Sequence, residues 1–330
     1  MASWFSNKRI LVTGGTGAFG QKFLEFVRER GPVEVTAFSR DEMKHAQLRR
    51  TWLSPGTGWL RPMIGDITHP EELRLAMRGA DLVIHAAAMK HLPECEANPL
   101  ASLRINIEGT QNVVRAFLDS TATTLVFLSS DKAPYASSIY GAQKYIAEKL
   151  VAEASRLQPG KRGFSLRYSN VMDSTGSVFH VFRELLGAGK IATVNGPQTA
   201  RGFVSQAQVL QCLEGALHAA RGGETFVLVP RVVRIAELAE TMQSLIGRGE
   251  VVVSNQSGYA GEKESATLVM AEEAGAAKAF PERAGTFLLD LLNRHPERPR
   301  APAIGLKPFT LDDCERLSGA ELRKFVAALM

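Results

Sequence analysis

Between Arg9 and Tyr168 the chain alternates short apolar runs with segments of helical spacing, and that rhythm leaves few folds open. Arg9–Thr13 (RILVT), Glu34–Phe38 (EVTAF), Met63–Ile67, Asp81–Ala87 (DLVIHAA), Thr124–Ser129 (TLVFLS) and Phe164–Tyr168 (FSLRY) read as strands. Gln21–Glu29, Asp41–Arg50, Glu71–Arg78, Ile105–Leu118 and about Ser138–Arg156 read as helices, with Phe23, Phe26 and Val27 on one face of the first. Strands that are apolar along their whole length are buried on both faces, and strands separated by helices pair in parallel. The expected fold class is α/β, a doubly wound parallel sheet over residues 1–168.

After Ser169 the rhythm changes. Glycines and loop residues crowd Asp173–Gly202; Thr225–Val229 then reads as a strand, Ile235–Ile246 as a helix and Val251–Ser254 as a short strand. Ser318, with Glu321 three residues on, predicts a capping box opening a C-terminal helix. Residues 169–330 are expected to form a smaller α/β lobe that binds substrate, with about 201–230 returning to the main sheet.

The first strand runs into Thr13-Gly14-Gly15-Thr16-Gly17-Ala18-Phe19-Gly20, and a helix follows. In that setting the glycines let the backbone turn tightly and approach a pyrophosphate, which the helix N-terminus then stabilises. A glycine-rich turn without a ligand is the plainer alternative. The setting favours a Rossmann-type nicotinamide dinucleotide site. The second strand ends Phe38-Ser39-Arg40, with Lys44 one turn on; a hydroxyl and two cations suit a 2′-phosphate, so NADP is expected rather than NAD. Asp41 is the rival, as a partner for a 2′-hydroxyl. Asp66 and Ile67 reach either the adenine or merely a turn, and Ala86, Ala87 and Ala88 are small enough for the nicotinamide side to lie on backbone.

Tyr140 and Lys144 are four apart and share a helix face. An ammonium beside a phenol, together with an oxidised nicotinamide, favours the phenolate and makes Tyr140 a base. Ser130, Asp131 and Lys132 follow the fifth strand, at the sheet edge where ligands of open α/β sheets bind. An epimerase or simple dehydrogenase needs only Ser130, Tyr140 and Lys144. The extra acid–base pair, Asp131 with Lys132, is what elimination of water requires. A solvated ion pair in a surface turn is the alternative.

The 39 basic and 34 acidic residues leave a net charge of +5, spread without a basic stripe; this suits an anionic small ligand rather than nucleic acid. Three scattered cysteines form no disulfide framework or metal-ligand spacing and fit a reducing cytoplasm. The N-terminus has no signal-peptide pattern, and no window is apolar enough to span a membrane.

The motifs then match a family. Leu11–Val27, Phe38–Lys44, Gly65–Ile67, Ala86–Pro99 (AAAMKHLPECEANP), Ile105–Ala116, Ser129–Ala133 (SSDKA), Ile139–Lys144 (IYGAQK), Arg167–Val171 (RYSNV), Ser174–Val178, Gly222–Val227 and Gly261–Lys263 resemble the soluble, inverting UDP-N-acetylglucosamine 4,6-dehydratases, extended short-chain dehydrogenases of pseudaminic acid biosynthesis. The resemblance runs nearly end to end. It implies that Tyr140 with Asp131 assists oxidation at C4 of the sugar, Lys132 takes the C5 proton and Asp131 protonates the leaving C6 hydroxyl. It also implies cofactor contacts from Lys90 and Asn106, and substrate contacts from Lys90, His91, Ser130, Tyr168, Asn170, Ser177, Val178, Arg201 and Glu262. A homo-oligomer in contact through the helices Ile105–Leu118 and Ser138–Arg156 is implied too. Where the family carries arginines near the nucleotide, this chain has Thr175 and Tyr259, so the reaction type is better supported than the sugar or its nucleotide. A 4-epimerase, a reductase, or a protein holding NADP only as a scaffold are the competing functions.

Overall fold

The computed structural model describes residues 3–53, 58–172, 174, 176–256, 265–282, 285–301, 304 and 307–330. The chain begins with β1 (Arg9–Thr13), α1 (Ala18–Arg28), β2 (Glu34–Ser39), α2 (Glu42–Trp52), β3 (Leu60–Ile64), α3 (Pro70–Ala76) and β4 (Leu82–His85). Two short helices follow, α4 (Leu92–Ala97) and α5 (Pro99–Leu103), then α6 (Gly109–Asp119), β5 (Thr124–Leu128), α7 (Ile139–Leu157), β6 (Arg162–Arg167) and β7 (Asn170–Val171). Next come α8 (Val178–Gly187), β8 (Ile191–Asn195), β9 (Ala200–Val204), α9 (Gln206–Ala219), β10 (Thr225–Leu228), β11 (Arg231–Arg234), α10 (Ile235–Ile246) and β12 (Glu250–Ser254). The last elements are β13 (Thr267–Val269), α11 (Ala271–Ala274), β14 (Ala277–Ala279), β15 (Thr286–Leu289), β16 (Phe309–Thr310) and α12 (Gly319–Ala327).

Among the described residues a nine-stranded sheet runs β14-β15-β10-β6-β5-β4-β1-β2-β3. Its strands are parallel from β10 to β3; β15 and β14 extend it antiparallel. Strand side chains alternate between the faces. Ile10 and Val12 therefore join the core under α1 and α9, with Phe23, Leu24 and Leu213. Leu11 faces the other way, onto Val113, Phe117 and Val151 of α6 and α7. Each fully buried phenylalanine here contributes roughly 1.5–3 kcal/mol by leaving water. Chain order reverses between β1 and β4, which opens a crevice at their carboxyl ends, Thr13 and His85.

The second core joins α8, α10 and α12 to β8, β9 and β11, through Phe179, Phe182, Leu186, Val233, Leu238, Met242 and Leu322. Here the loop expected over 173–202 gives way to a helix and two strands. Phe179, Phe182 and Leu186 are buried on one face of α8, a helical stripe closed by turns at Gly189 and Gly196. Other expectations shift. α1 begins at Ala18 rather than Gln21, so the last three residues of the glycine segment are helix, and β3 ends at Ile64, leaving Gly65–Ile67 beyond it. The helix expected over Ile105–Leu118 opens with a π-helical turn, Arg104–Glu108, before α6. Ser318 precedes α12, but its side chain makes no capping bond: Gly319 sits at φ +53, outside the helical range a capping box needs.

No helix among the described residues is long and apolar enough to cross a membrane.

Candidate active site

The glycine segment forms the floor of the crevice. Gly14 takes φ +71, and a Cβ there would lie 2.9 Å from the backbone nitrogen of Ala87. A Cβ on Gly15 would meet the Cα of Ala37 at 2.7 Å, and one on Gly20 would strike the carbonyl of Gly15. Gly17 caps α1 without any side-chain bond, so the first N–H groups of that helix stay open to an anion. This cradle, which side chains would fill, fits a dinucleotide pyrophosphate across Thr13–Gly20.

At the end of β2, Ser39 Oγ lies 2.7 Å from Thr16 Oγ1. Arg40 is 3.5 Å from Asp66, whose other oxygen accepts from Thr68 N at 2.9 Å in a turn. Asp66 is thus spoken for by a turn and a cation. Asp41, the rival for a ribose hydroxyl, is committed to capping α2: its Oδ1 accepts from Lys44 N at 3.0 Å, and Lys44 Nζ is 3.3 Å away. Partial desolvation and the charge of Lys44 hold the Lys90 ammonium below the usual lysine range. Arg40, Lys44 and Lys90 thereby make this end of the crevice cationic.

Below the crevice a buried chain of hydrogen bonds fixes the loop after β4. Thr110 Oγ1 donates to Asn106 O at 2.7 Å, so it must accept from His85 Nε2 at 3.0 Å. His85 Nδ1 then accepts from Thr13 Oγ1 at 2.8 Å, and Thr13 accepts from Ala87 N at 3.3 Å. Burial, seconded by the Lys144 charge, lowers His85 to about 3, which keeps this relay neutral. Asn106, expected at the cofactor, grips Met89 in the loop after β4: Oδ1 accepts from Met89 N at 2.8 Å and Nδ2 donates to Met89 O at 2.9 Å. Its other amide proton goes to Gln143 at 2.7 Å. A π-turn, often found at functional sites, brings Asn106 into this position.

α7 carries the expected Tyr140–Lys144 pair. Ser138 accepts from Gly141 N at 3.1 Å, and Glu96 of α4 accepts from Ile139 N at 2.7 Å, so the first turn is capped twice. Tyr140, Lys144 and Glu148 follow at four-residue spacing, all buried on one face. Lys144 Nζ donates to Leu128 O at 2.7 Å and lies 4.5 Å from the Phe127 ring centroid. Gly141 is obligatory because any Cβ there would collide with the Lys132 carbonyl.

Lys132 Nζ is 3.0 Å from Asp131 Oδ1, which also accepts from Ser130 Oγ at 3.1 Å. The side chains are 11% and 2% exposed, so this pair is not the solvated surface turn that was the alternative. Asp131 Oδ2 is buried without a partner, and Asp131 N donates to Tyr168 O at 3.1 Å. Burial, then the proximity of Tyr168 and Asp131, push the Tyr140 hydroxyl above the ordinary phenol range, while a hydrogen bond with Ser130 pulls the other way. Residues 130, 131, 132, 140 and 168 therefore meet in one place. Burial also raises the hydroxyl of Tyr168.

Desolvation lowers Lys144 from its ordinary 10.5 to about 7, against the opposing pull of Glu148 and Cys95. The folded apoprotein then holds fewer protons than the unfolded chain between pH 7 and 10.5, so stability rises with pH across that window. Lys144→Met is accordingly expected to stabilise the apoprotein below neutrality, by at most ~5 kcal/mol, with the gain fading toward about pH 10. Urea midpoints of both proteins near about pH 6 and pH 10 check this; a gain that grew with pH would reverse the sign.

Among the remaining expected substrate residues, Ser177, Val178 and Arg201 belong to α8 and β9, elements of the second core, or cap them. Asn170 Nδ2 donates to Gly202 O at 3.1 Å, and Arg201 donates to its neighbour Ala200 O at 2.8 Å. The Ser177 hydroxyl is consumed in capping α8, accepting from His180 N at 3.3 Å and donating to Met172 O at 2.8 Å; only the helix N-terminus at Val178 is left to face a phosphate. His91 lies beside the Gly176 turn, 3.5 Å from where a Cβ would stand. Glu262 lies outside the described residues.

Spacing missed the group behind this site. Arg167, fully buried in β6, spends all five N–H donors: on Glu148 at 3.0 and 2.6 Å, on Glu273 at 2.7 and 2.9 Å, and on Leu268 O at 2.8 Å. Glu148 also receives Ser129 Oγ at 2.5 Å. An arginine inside an apolar parallel strand was the available clue, since such a charge demands buried partners.

Residues 10–285 match the family model described as polysaccharide biosynthesis protein. The UDP-N-acetylglucosamine 4,6-dehydratase (inverting) of Campylobacter jejuni is 35% identical over 242 residues, 72% of each chain. The UDP-glucose 4-epimerase of Rickettsia typhi is 30% identical over 337 residues, covering 98% of this chain and 97% of that one. The crystal structure of Pen from Bacillus thuringiensis superposes with a TM-score of 0.90 at 30% identity, covering 99% of both chains.

Proposed function

The chain belongs to the polysaccharide biosynthesis protein family, and on that premise we propose that it is an NADP-dependent nucleotide-sugar 4,6-dehydratase acting on UDP-N-acetylglucosamine with inversion at C5. The observation that carries this reading is the buried Asp131–Lys132 pair beside Tyr140. One proton passed across the 3.0 Å between Lys132 Nζ and Asp131 Oδ1 would give a neutral amine and a neutral acid. That neutral couple is what elimination needs.

Thr13–Gly20 and the N-terminus of α1 would hold the pyrophosphate, Ser39, Arg40 and Lys44 the 2′-phosphate, and Lys144 the nicotinamide ribose. When bound, NADP⁺ would supply the hydride acceptor at C4 and, once reduced, the donor at C6. Tyr140 takes the C4 hydroxyl proton; the positive ring of a bound oxidised cofactor, together with Lys144 in its ammonium form, would favour the phenolate against the burial that raises this hydroxyl. The resulting ketone acidifies C5. Lys132, as the amine, takes the C5 proton, and Asp131, as the acid, gives its proton to the departing C6 hydroxyl. Water leaves and the ion pair is restored; when hydride is returned to C6, the Tyr140 phenol would give its proton to the opposite face of C5, which inverts that centre and regenerates the phenolate. The lobe around α8 and β9 would bind the nucleotide through Asn170, Val178 and Arg201, with Lys90, His91 and Tyr168 around the sugar.

Alignment of a UDP-glucose 4-epimerase over 98% of the chain favours epimerisation as the second reading. Incubation with UDP-N-acetylglucosamine in heavy water separates the two. A 4-keto-6-deoxy product carrying deuterium at C5 is expected; a 4-hydroxy epimer without C5 label would establish the epimerase, and no turnover would leave a scaffold.

A further inference from the structure

α2 is a charged helix, yet its His45 is 1% exposed. The imidazole Nε2 lies 3.1 Å from Ser39 O and 2.9 Å from Ser39 Oγ. A carbonyl only accepts, so Nε2 carries the proton and Nδ1 is a bare lone pair. Nδ1 is buried and has no partner, as that tautomer requires. Desolvation lowers the His45 pKa and keeps the ring neutral. The Nε2–H therefore points at a lone pair of Ser39 Oγ, while Thr16 Oγ1 stands 2.7 Å away on the other side. With one lone pair filled by His45, the Ser39 hydroxyl turns its own proton outward, to Thr16 Oγ1 or to a ligand placed beside it. The His45 contact thus favours Ser39 as a donor, at a strand end followed by Arg40 and Lys44. A ribose 2′-hydroxyl is read by an acceptor such as a carboxylate, and a 2′-phosphate by donors. The nearest carboxylates, Asp41 and Asp66, are held by a helix cap and a turn.

We propose that His45, which need not touch the cofactor, is a positioning residue: by filling the lone pair of Ser39 it orients that hydroxyl toward a 2′-phosphate and sets the preference for NADP(H) over NAD(H). The proposal rests on the cofactor reading above.

The test is direct binding of NADPH and of NADH to the purified apoprotein, followed by nicotinamide fluorescence or calorimetry, for wild type, His45→Leu, His45→Gln, Ser39→Ala and the double variant. Wild type is expected to prefer NADPH. His45→Leu should reduce the NADPH-to-NADH affinity ratio on the order of tenfold, the value of one hydrogen bond to a charged group. His45→Gln, whose amide can still donate, should keep most of the ratio. Ser39→Ala should lose as much as His45→Leu, and the double variant no more than Ser39→Ala. Equal loss of both dinucleotides in His45→Leu, with no rescue by glutamine, would reduce His45 to packing and overturn the proposal. So would an unchanged ratio. Wild-type protein that binds neither dinucleotide, or prefers NADH, would instead sink the cofactor reading itself.

Discussion

Lys132→Ala is expected to slow formation of the 4-keto-6-deoxy product by ~10²–10⁴-fold, the usual contribution of a positioned base, while NADPH affinity stays at the wild-type value. The side chain reaches Asp131, whereas the cradle for the dinucleotide is built from the Gly14–Gly20 turn and the end of β2. The backbone contacts of residue 132, its N–H on Ser130 Oγ and its carbonyl against Gly141, survive the substitution. Removing the ammonium strands a buried carboxylate, so some stability is lost as well. Lys132→Arg separates the two effects. It keeps a cation beside Asp131, but a guanidinium does not give up its proton and so provides no base. This variant should melt near wild type and still fail to eliminate water or exchange the C5 proton into heavy water. Steady product formation by Lys132→Arg would mean that another group takes that proton; parallel loss of cofactor binding in Lys132→Ala would make the residue structural.

Arg167→Met should destabilise the fold by ~3–5 kcal/mol, the cost of leaving buried charges without their partner. Five hydrogen bonds disappear, and Glu148 and Glu273 face each other in the core. Burial raises the Glu273 pKa, but the hydrogen bonds and charge of Arg167 outweigh it and hold the group below its ordinary 4.5. In wild type this carboxylate therefore adds stability above pH 4.5 that fades as the pH falls through the lowered value. The variant lacks that contribution, so its deficit should be largest near neutrality and shrink in acid. Urea unfolding at both pH values measures it; an unchanged midpoint near neutrality would show that the buried ions are not needed for stability.

Much of the first half was legible because each of its signals has one cause. The Gly14–Gly20 segment reads as a dinucleotide turn since φ +71 and two backbone approaches admit nothing larger. The helix Ile235–Ile246 has the bounds that periodicity gives, with Gly247 in the left-handed region stopping it. Over 173–202 the signal failed. α8 carries its buried stripe on only ten residues, and the neighbouring β8 alternates with exposed positions, so glycine-rich turns dominated the reading. In the site, Tyr140 and Lys144 were readable because they share one helix. Glu148, Arg167 and Glu273 were not, because contacts spanning up to 106 residues leave no mark in local spacing. The His85 relay was hidden for a related reason: a histidine inside an apolar strand looks the same whether its neighbours are hydroxyls or methyls.

Gly141 has one further consequence. Its bare Cα rests on the Lys132 carbonyl, so the peptide that presents the amine and the helical turn that presents the phenol move as one body. On the proposed mechanism, evolution of a new substrate preference is free to remodel the walls around the sugar, but this contact fixes the spacing between Lys132 and Tyr140. A single methyl group at that contact would pry them apart, and a lineage that acquired one would have to rebuild its chemistry from another residue.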